Sequence, residues 1–132
     1  MGLPSAVGAG TVLGVDAATD RPATGPPGTL GAFEQIEFIG TPAGTDIEGG
    51  LVAHTWGTET VLEMDGVPVA GTYEVYVVDG SGVERASGTF FGSAVAIDCR
   101  MNAAVMRENV DGIEIRNADG SVLAFADVPD AL

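Results

Sequence analysis

The stretch Thr72–Val78, Thr-Tyr-Glu-Val-Tyr-Val-Val, constrains this chain more than any other. Read with a period of two, Tyr73, Val75 and Val77 share one face, and Glu74, Tyr76 and Val78 share the other. β-Branched and aromatic side chains lose rotamer freedom in a helix and suit a pleated, half-buried surface. The segment is therefore a strand, and a strand needs a partner. Asp79-Gly80-Ser81-Gly82 follows directly, and glycine supplies the positive φ that a tight hairpin requires. The return strand is Val83–Phe91.

The same alternation of short runs and turns extends along the chain. Phe33–Ile39 is β-like, and residues 41–50, Thr-Pro-Ala-Gly-Thr-Asp-Ile-Glu-Gly-Gly, carry turn chemistry. A short apolar run over Gly50–His54 comes next. Thr58–Met64 then alternates, with Val61 on one side and Leu62 and Met64 on the other. Pro68 and Gly71 mark a turn, and Ser93–Cys99 is a further strand. Met101–Asn109 is the one predicted helix, of a turn or two, and a helix that short is marginal alone. Gly112–Asn117 alternates again, and Asn117-Ala118-Asp119-Gly120 is a second hairpin signal before Ser121–Val128. Seven or eight short strands separated by turns predict an all-β domain: an Ig-like antiparallel β-sandwich with one short helical turn, over residues 33–128, with a tail at 129–132. There is no βαβ rhythm, internal repeat or heptad.

Ahead of that domain the composition differs. Residues 1–15 carry no charged side chain. They fall short of the roughly 20 apolar residues of a membrane span, and they lack the basic start of a signal peptide. The segment reads either as a remnant of a transmembrane helix or as a small-residue tail. Residues 16–32, rich in Pro, Gly and Ala, have linker composition. A chain of 132 residues fits one domain and can bury enough surface to fold without disulfides or metals. Its 19 acidic residues against 5 basic ones, a formal charge of −14, repel phosphate backbones and argue against nucleic-acid binding. The charge fits solubility, or a basic partner surface.

Candidate chemistry is sparse. His54 is the only histidine, and it is expected to start a strand and hydrogen-bond locally. Cys99, the only cysteine, has Arg100 beside it, yet a buried small hydrophobe is the better reading. The acidic loops around Asp79, Ser81 and Glu84 and around Asp119 lack the ligand spacing of a calcium loop. No phosphate-binding glycine loop, nucleophile elbow or zinc ligand set is present. We therefore expect no catalytic, cofactor or metal residues. Trp56, Tyr73 and Tyr76 stand out as packing or recognition anchors.

Several segments together resemble a known family. His-Thr-Trp-Gly-Thr-Glu (54–59), Val-Leu-Glu-Met-Asp-Gly-Val-Pro (61–68), Gly-Thr-Tyr-Glu-Val-Tyr-Val-Val-Asp (71–79) and Ala-Ser-Gly-Thr-Phe (86–90) follow the order found in the extracytoplasmic C-terminal domains of bacterial zinc-finger-type anti-sigma factors. Residues 99–107 and 113–120 resemble that family's closing segments, so the likeness covers about residues 33–128. It implies the outer, non-catalytic sensory or regulatory domain of a membrane protein, tethered on the extracytoplasmic side, with a protein partner or a regulatory protease. The family's sigma factor is bound by a cytoplasmic portion carrying a zinc motif, which this sequence does not contain. Two rival readings need no family: a secreted or surface adhesion module that pairs strand edges with a partner, and a small-ligand β-barrel.

Overall fold

The computed structural model describes residues 23–131. Eight strands run in chain order: β1 (Phe33–Ile36), β2 (Asp46–His54), β3 (Gly57–Asp65), β4 (Thr72–Asp79), β5 (Glu84–Phe91), β6 (Ile97–Ala103), β7 (Val110–Arg116) and β8 (Val122–Asp127). One 3-10 turn, Arg107–Asn109, sits between β6 and β7. The strands form two antiparallel sheets, ordered β1-β2-β3-β6 and β5-β4-β7-β8. The expected all-β antiparallel sandwich is the fold. Its two-layer arrangement is that of Ig-like domains, with a strand order of its own.

Alternation builds the core. Tyr73, Val75 and Val77 of β4 are buried, while Glu74 is exposed. They meet Leu51, Leu62 and Met64 from the facing sheet and Ile113 and Ile115 from β7. Six of these side chains are fully excluded from solvent, each contributing about 1.5–3 kcal/mol of apolar burial. Both predicted hairpins form. Asp79 Oδ1 accepts hydrogen bonds from the backbone amides of Ser81 and Val83, and Asp119 Oδ1 from that of Ser121. Gly82 and Gly120 hold φ of 84° and 88°, which a side chain would resist. At the start of β4 the Tyr73 hydroxyl donates back to Pro68 O at 3.3 Å, pinning the corner where the chain enters the second sheet.

Three segments differ from the sequence reading, and the first is β1, which ends at Ile36 rather than Ile39. β2 begins at Asp46, inside the stretch read as turn, because Ile47 and Leu51 point inward while Glu48 and Gly50 point out. The predicted helix over Met101–Asn109 is largely strand: β6 runs to Ala103, and only Arg107–Asn109 turns. Cys99, Met101 and Ala103 face the core, alternating with exposed Arg100 and Asn102, so a period of two overrides the helix propensity of the Asn-Ala-Ala run. β6 also starts at Ile97 rather than Ser93.

The two flanks of the sandwich differ. After β1 the chain crosses to the other sheet, where Ile39 N donates to Phe125 O at 2.8 Å and Phe125 N to Ile39 O at 3.0 Å. This covers part of the β8 edge. On the opposite flank β5 and β6 end their sheets, and a register shift in the β4–β5 pairing leaves Ser87 unpaired in a bulge.

Residues 1–15, read as a membrane-helix remnant or tail, lie outside the described residues, as do 16–22 of the linker stretch. Residues 23–32 of that stretch lie on the domain. Leu30 bridges Ala53, Gly31 N donates to Ala53 O at 2.8 Å, and Ala32 is buried. Beneath them Arg107, 2% exposed, grips Glu34 with Nε at 2.8 Å and with Nη2, and Nη2 also reaches Pro129 O at 2.7 Å. This guanidinium joins the chain's entry into β1 to its exit after β8.

Candidate recognition surface

The outward face of the β1-β2-β3-β6 sheet is where polar side chains gather. On each strand the residues two apart share that face: Phe33 and Gln35 on β1; Glu48, Gly50, Val52 and His54 on β2; Glu59, Val61, Glu63 and Asp65 on β3; Asp98, Arg100 and Asn102 on β6. The face divides into two halves of different electrostatic character.

In the half near the β2–β3 turn, charge is compensated. The His54 Nε2 proton is donated to Glu59 Oε1 at 2.8 Å, and Arg100 Nη1 donates to Glu59 Oε2 at 3.2 Å. The hydrogen bond from His54, with help from Arg100, lowers the Glu59 carboxyl below its usual range, although burial opposes this. Trp56 stacks on the His54 ring at 4.4 Å with the planes 8° apart, and remains 52% exposed. His54 bonds locally as expected, but it ends β2 rather than starting a strand, and Trp56 is a surface aromatic rather than a core one.

In the other half, charge is not compensated. The register places Asp46 opposite Asp65, and Glu63 opposite both Glu48 and Asp98. All five side chains are exposed. Directly opposed like charges destabilise a sheet. None of the five carboxylates has a basic partner among the described residues. They form rows along the sheet, and no metal-holding group of His, Cys, Asp or Glu occurs among the described residues.

Between these carboxylates runs a trough. One part, about 440 Å³, is lined by Met64, Ala96 and Ile97 with the acidic side chains around them. A second part, about 220 Å³, adjoins it through Glu48 and Glu63 and is lined by Phe33, Gln35 and Val61. At the centre of β2, Gly50 carries no side chain, and the Phe33 ring takes that place. A methyl on Gly50 would lie 2.6 Å from the Phe33 ring, which lies across the glycine instead. Phe33 is 54% exposed.

The three aromatic anchors go to three places. Trp56 lies on this face, Tyr73 lies in the core, and Tyr76 lies on the outside of the other sheet. The Arg116 guanidinium sits 4.1 Å from the centre of the Tyr76 ring and pairs with Glu114 and Glu84. The Tyr76 hydroxyl donates to Glu74 at 3.1 Å, which raises its pKa. Cys99 packs half-buried against the core, and burial, reinforced by Asp98, pushes its thiol pKa up, away from a reactive thiolate. Sequence reasoning missed the carboxylate rows. A signal was present, since Asp46/Glu48 and Glu63/Asp65 are each two apart and must share a face on any strand. Comparison of the chain with protein-family models, with curated proteins and with solved structures gave no match.

Proposed function

We propose that this domain is a non-catalytic recognition module, the extracytoplasmic regulatory domain of a membrane anti-sigma factor. The observation that carries the recognition reading is the uncompensated trough on the β1-β2-β3-β6 face. A sheet that sets carboxylates opposite one another gives up stability that simple solubility would not require. The anti-sigma assignment is supported by the order of the sequence motifs from His54 to Phe90. The partner is a protein or a regulatory protease, and nucleic acid is disfavoured by the charge of −14. In this proposal the sigma factor is held by a cytoplasmic portion of the protein, and occupation of the outer domain governs access to the chain leading into it.

The test is made in the native host, on the protein that carries these residues. Residues 33–128 are deleted, and transcription dependent on an extracytoplasmic-function sigma factor is measured. A changed level or a lost response supports the assignment; unchanged transcription under all conditions refutes it. One feature favours a second reading, an adhesion module. β5 and β6 leave two strand edges open on one flank, available for pairing with a partner strand. Unchanged transcription together with lost surface attachment on deletion would establish that reading.

A further inference from the structure

We infer that residues 26–32 act as a strap that lifts from and closes on the folded domain, and that the exit segment, residues 129–131, keeps it shut through Arg107. The inference rests on the reading in which occupation of the domain governs access to the chain leading into it, and it names the part that moves and the part that releases it.

The strap is lightly held. Thr29 N donates to Pro26 O at 3.0 Å and Ala32 N to Thr29 O at 3.1 Å, but both bonds lie inside the segment and survive its lifting. Its tie to the sheet is at Ala53, through the Leu30 bridge and the 2.8 Å bond from Gly31 N. Ala32 is its one buried side chain, and Leu30 is 56% exposed. Little apolar surface therefore returns to water when the strap opens. That is the physical signature of a segment that opens locally while the core stays folded.

What lies beneath the strap decides the balance. A methyl on Gly28 would come within 3.0 Å of the Ala131 side chain and 4.0 Å of Arg107 Cγ, so the strap rests on the exit segment and on the arginine stem together. Arg107 is 2% exposed, yet its Nη1 has no hydrogen-bond partner among the described residues. A buried donor without an acceptor is costly, and opening to water removes that cost, so the closed state is held with little to spare. Nη2 donates to Glu34 Oε2 and to Pro129 O. Glu34 belongs to β1 and stays with the sheet, whereas Pro129 belongs to the exit. Withdrawing the Pro129 carbonyl leaves a second donor unpaired beneath the strap, and the same opening relieves both. A partner that draws residues 129–131 away thus frees the entering segment, and by reciprocity a partner that holds the strap open loosens the exit.

The experiment is backbone amide hydrogen exchange on the full chain and on two truncations, one ending at Val128 and one at Pro129. The truncations differ by the single residue whose carbonyl Nη2 holds. The Gly31 amide, bonded to Ala53 O, reports the strap, and the Ile39 and Phe125 amides, bonded to each other's carbonyls, report the rest of the fold. Loss of a hydrogen bond from a charged donor shifts an opening equilibrium by about ten-fold or more. The chain ending at Val128 should therefore exchange Gly31 about ten-fold faster than the full chain, with Ile39 and Phe125 changed less than about two-fold. The chain ending at Pro129 should stay within about three-fold of the full chain at Gly31. Thermolysin cleavage before Leu30 should follow the same order. Equal Gly31 rates in the two truncations, or acceleration of Ile39 and Phe125 by the same factor as Gly31, would overturn the inference. The two proposals fail separately: exchange rates test the strap without reference to transcription, and unchanged sigma-dependent transcription on deletion of residues 33–128 refutes the assignment whatever the strap does.

Discussion

Glu63 offers the sharpest test of the charge arrangement, because it faces two like charges at once, Glu48 across β2 and Asp98 across β6. Glu63→Gln keeps the shape of the side chain and removes both repulsions. Two unit charges about 6 Å apart in water repel by about 0.7 kcal/mol. At about 0.15 M salt, with a screening length of about 8 Å, each pair keeps about half of that. The variant should therefore be more stable by about 0.7 kcal/mol in all, within the range known for opposed like charges. For a domain of this size the gain is a rise of roughly 3 °C in Tm. Urea denaturation at pH 7 measures it, repeated at about 1 M salt, where the screening length of about 3 Å should remove most of the difference. A variant that is less stable than the parent at low salt, or equally stabilised at both salt concentrations, would refute the electrostatic reasoning.

Other features make their own predictions. Arg107→Ala leaves the part-buried Glu34 without its cation and should cost about 2–4 kcal/mol in urea denaturation, with Arg107→Ala/Glu34→Ala losing less than the sum of the two single variants. Tyr73→Phe removes a long hydrogen bond whose acceptor, Pro68 O, still receives Gly71 N at 3.2 Å, so the loss should be about 0.5–1 kcal/mol by the same method. Glu59 has a carboxyl pKa lowered in the folded state by His54 first and Arg100 second, so its contribution is complete above the unfolded value of 4.5 and disappears as pH falls through the lower folded value. The stability gap between the parent and Glu59→Gln should accordingly be widest above that pH and close on acidification; a gap independent of pH would contradict the pairing.

Much of the fold could be read from local patterns. The β4 alternation and the two Asp-Gly turns specify their hairpins because strand period and positive φ are properties of a few adjacent residues. β6 was harder, since Met-Asn-Ala-Ala suits a helix locally and only the facing sheet decides between periods. The start of β2 hid behind Gly49 and Gly50, which signal turns when read alone; here Gly49 lies against β3 at Val61 and Leu62, and Gly50 makes room for the Phe33 ring. Arg107 gave no sign of burial, because its partners Glu34 and Pro129 are 73 and 22 residues away. The recognition surface was legible only in part. Each strand's carboxylates share a face by spacing, but their opposition depends on register between strands, which no single segment contains.

The grip of Arg107 on Glu34 and Pro129 has a mechanical consequence. Entry and exit of the chain meet at one pole, where a methyl on Gly28 would lie 3.0 Å from the Ala131 side chain. A pull applied between the two ends would load the contacts of Leu30 and Gly31 with Ala53 together with that clasp, before the central strands are asked to slide past their neighbours. Tension would then peel the entering and leaving segments apart while both sheets stayed assembled, and the carboxylate face would keep its shape under load.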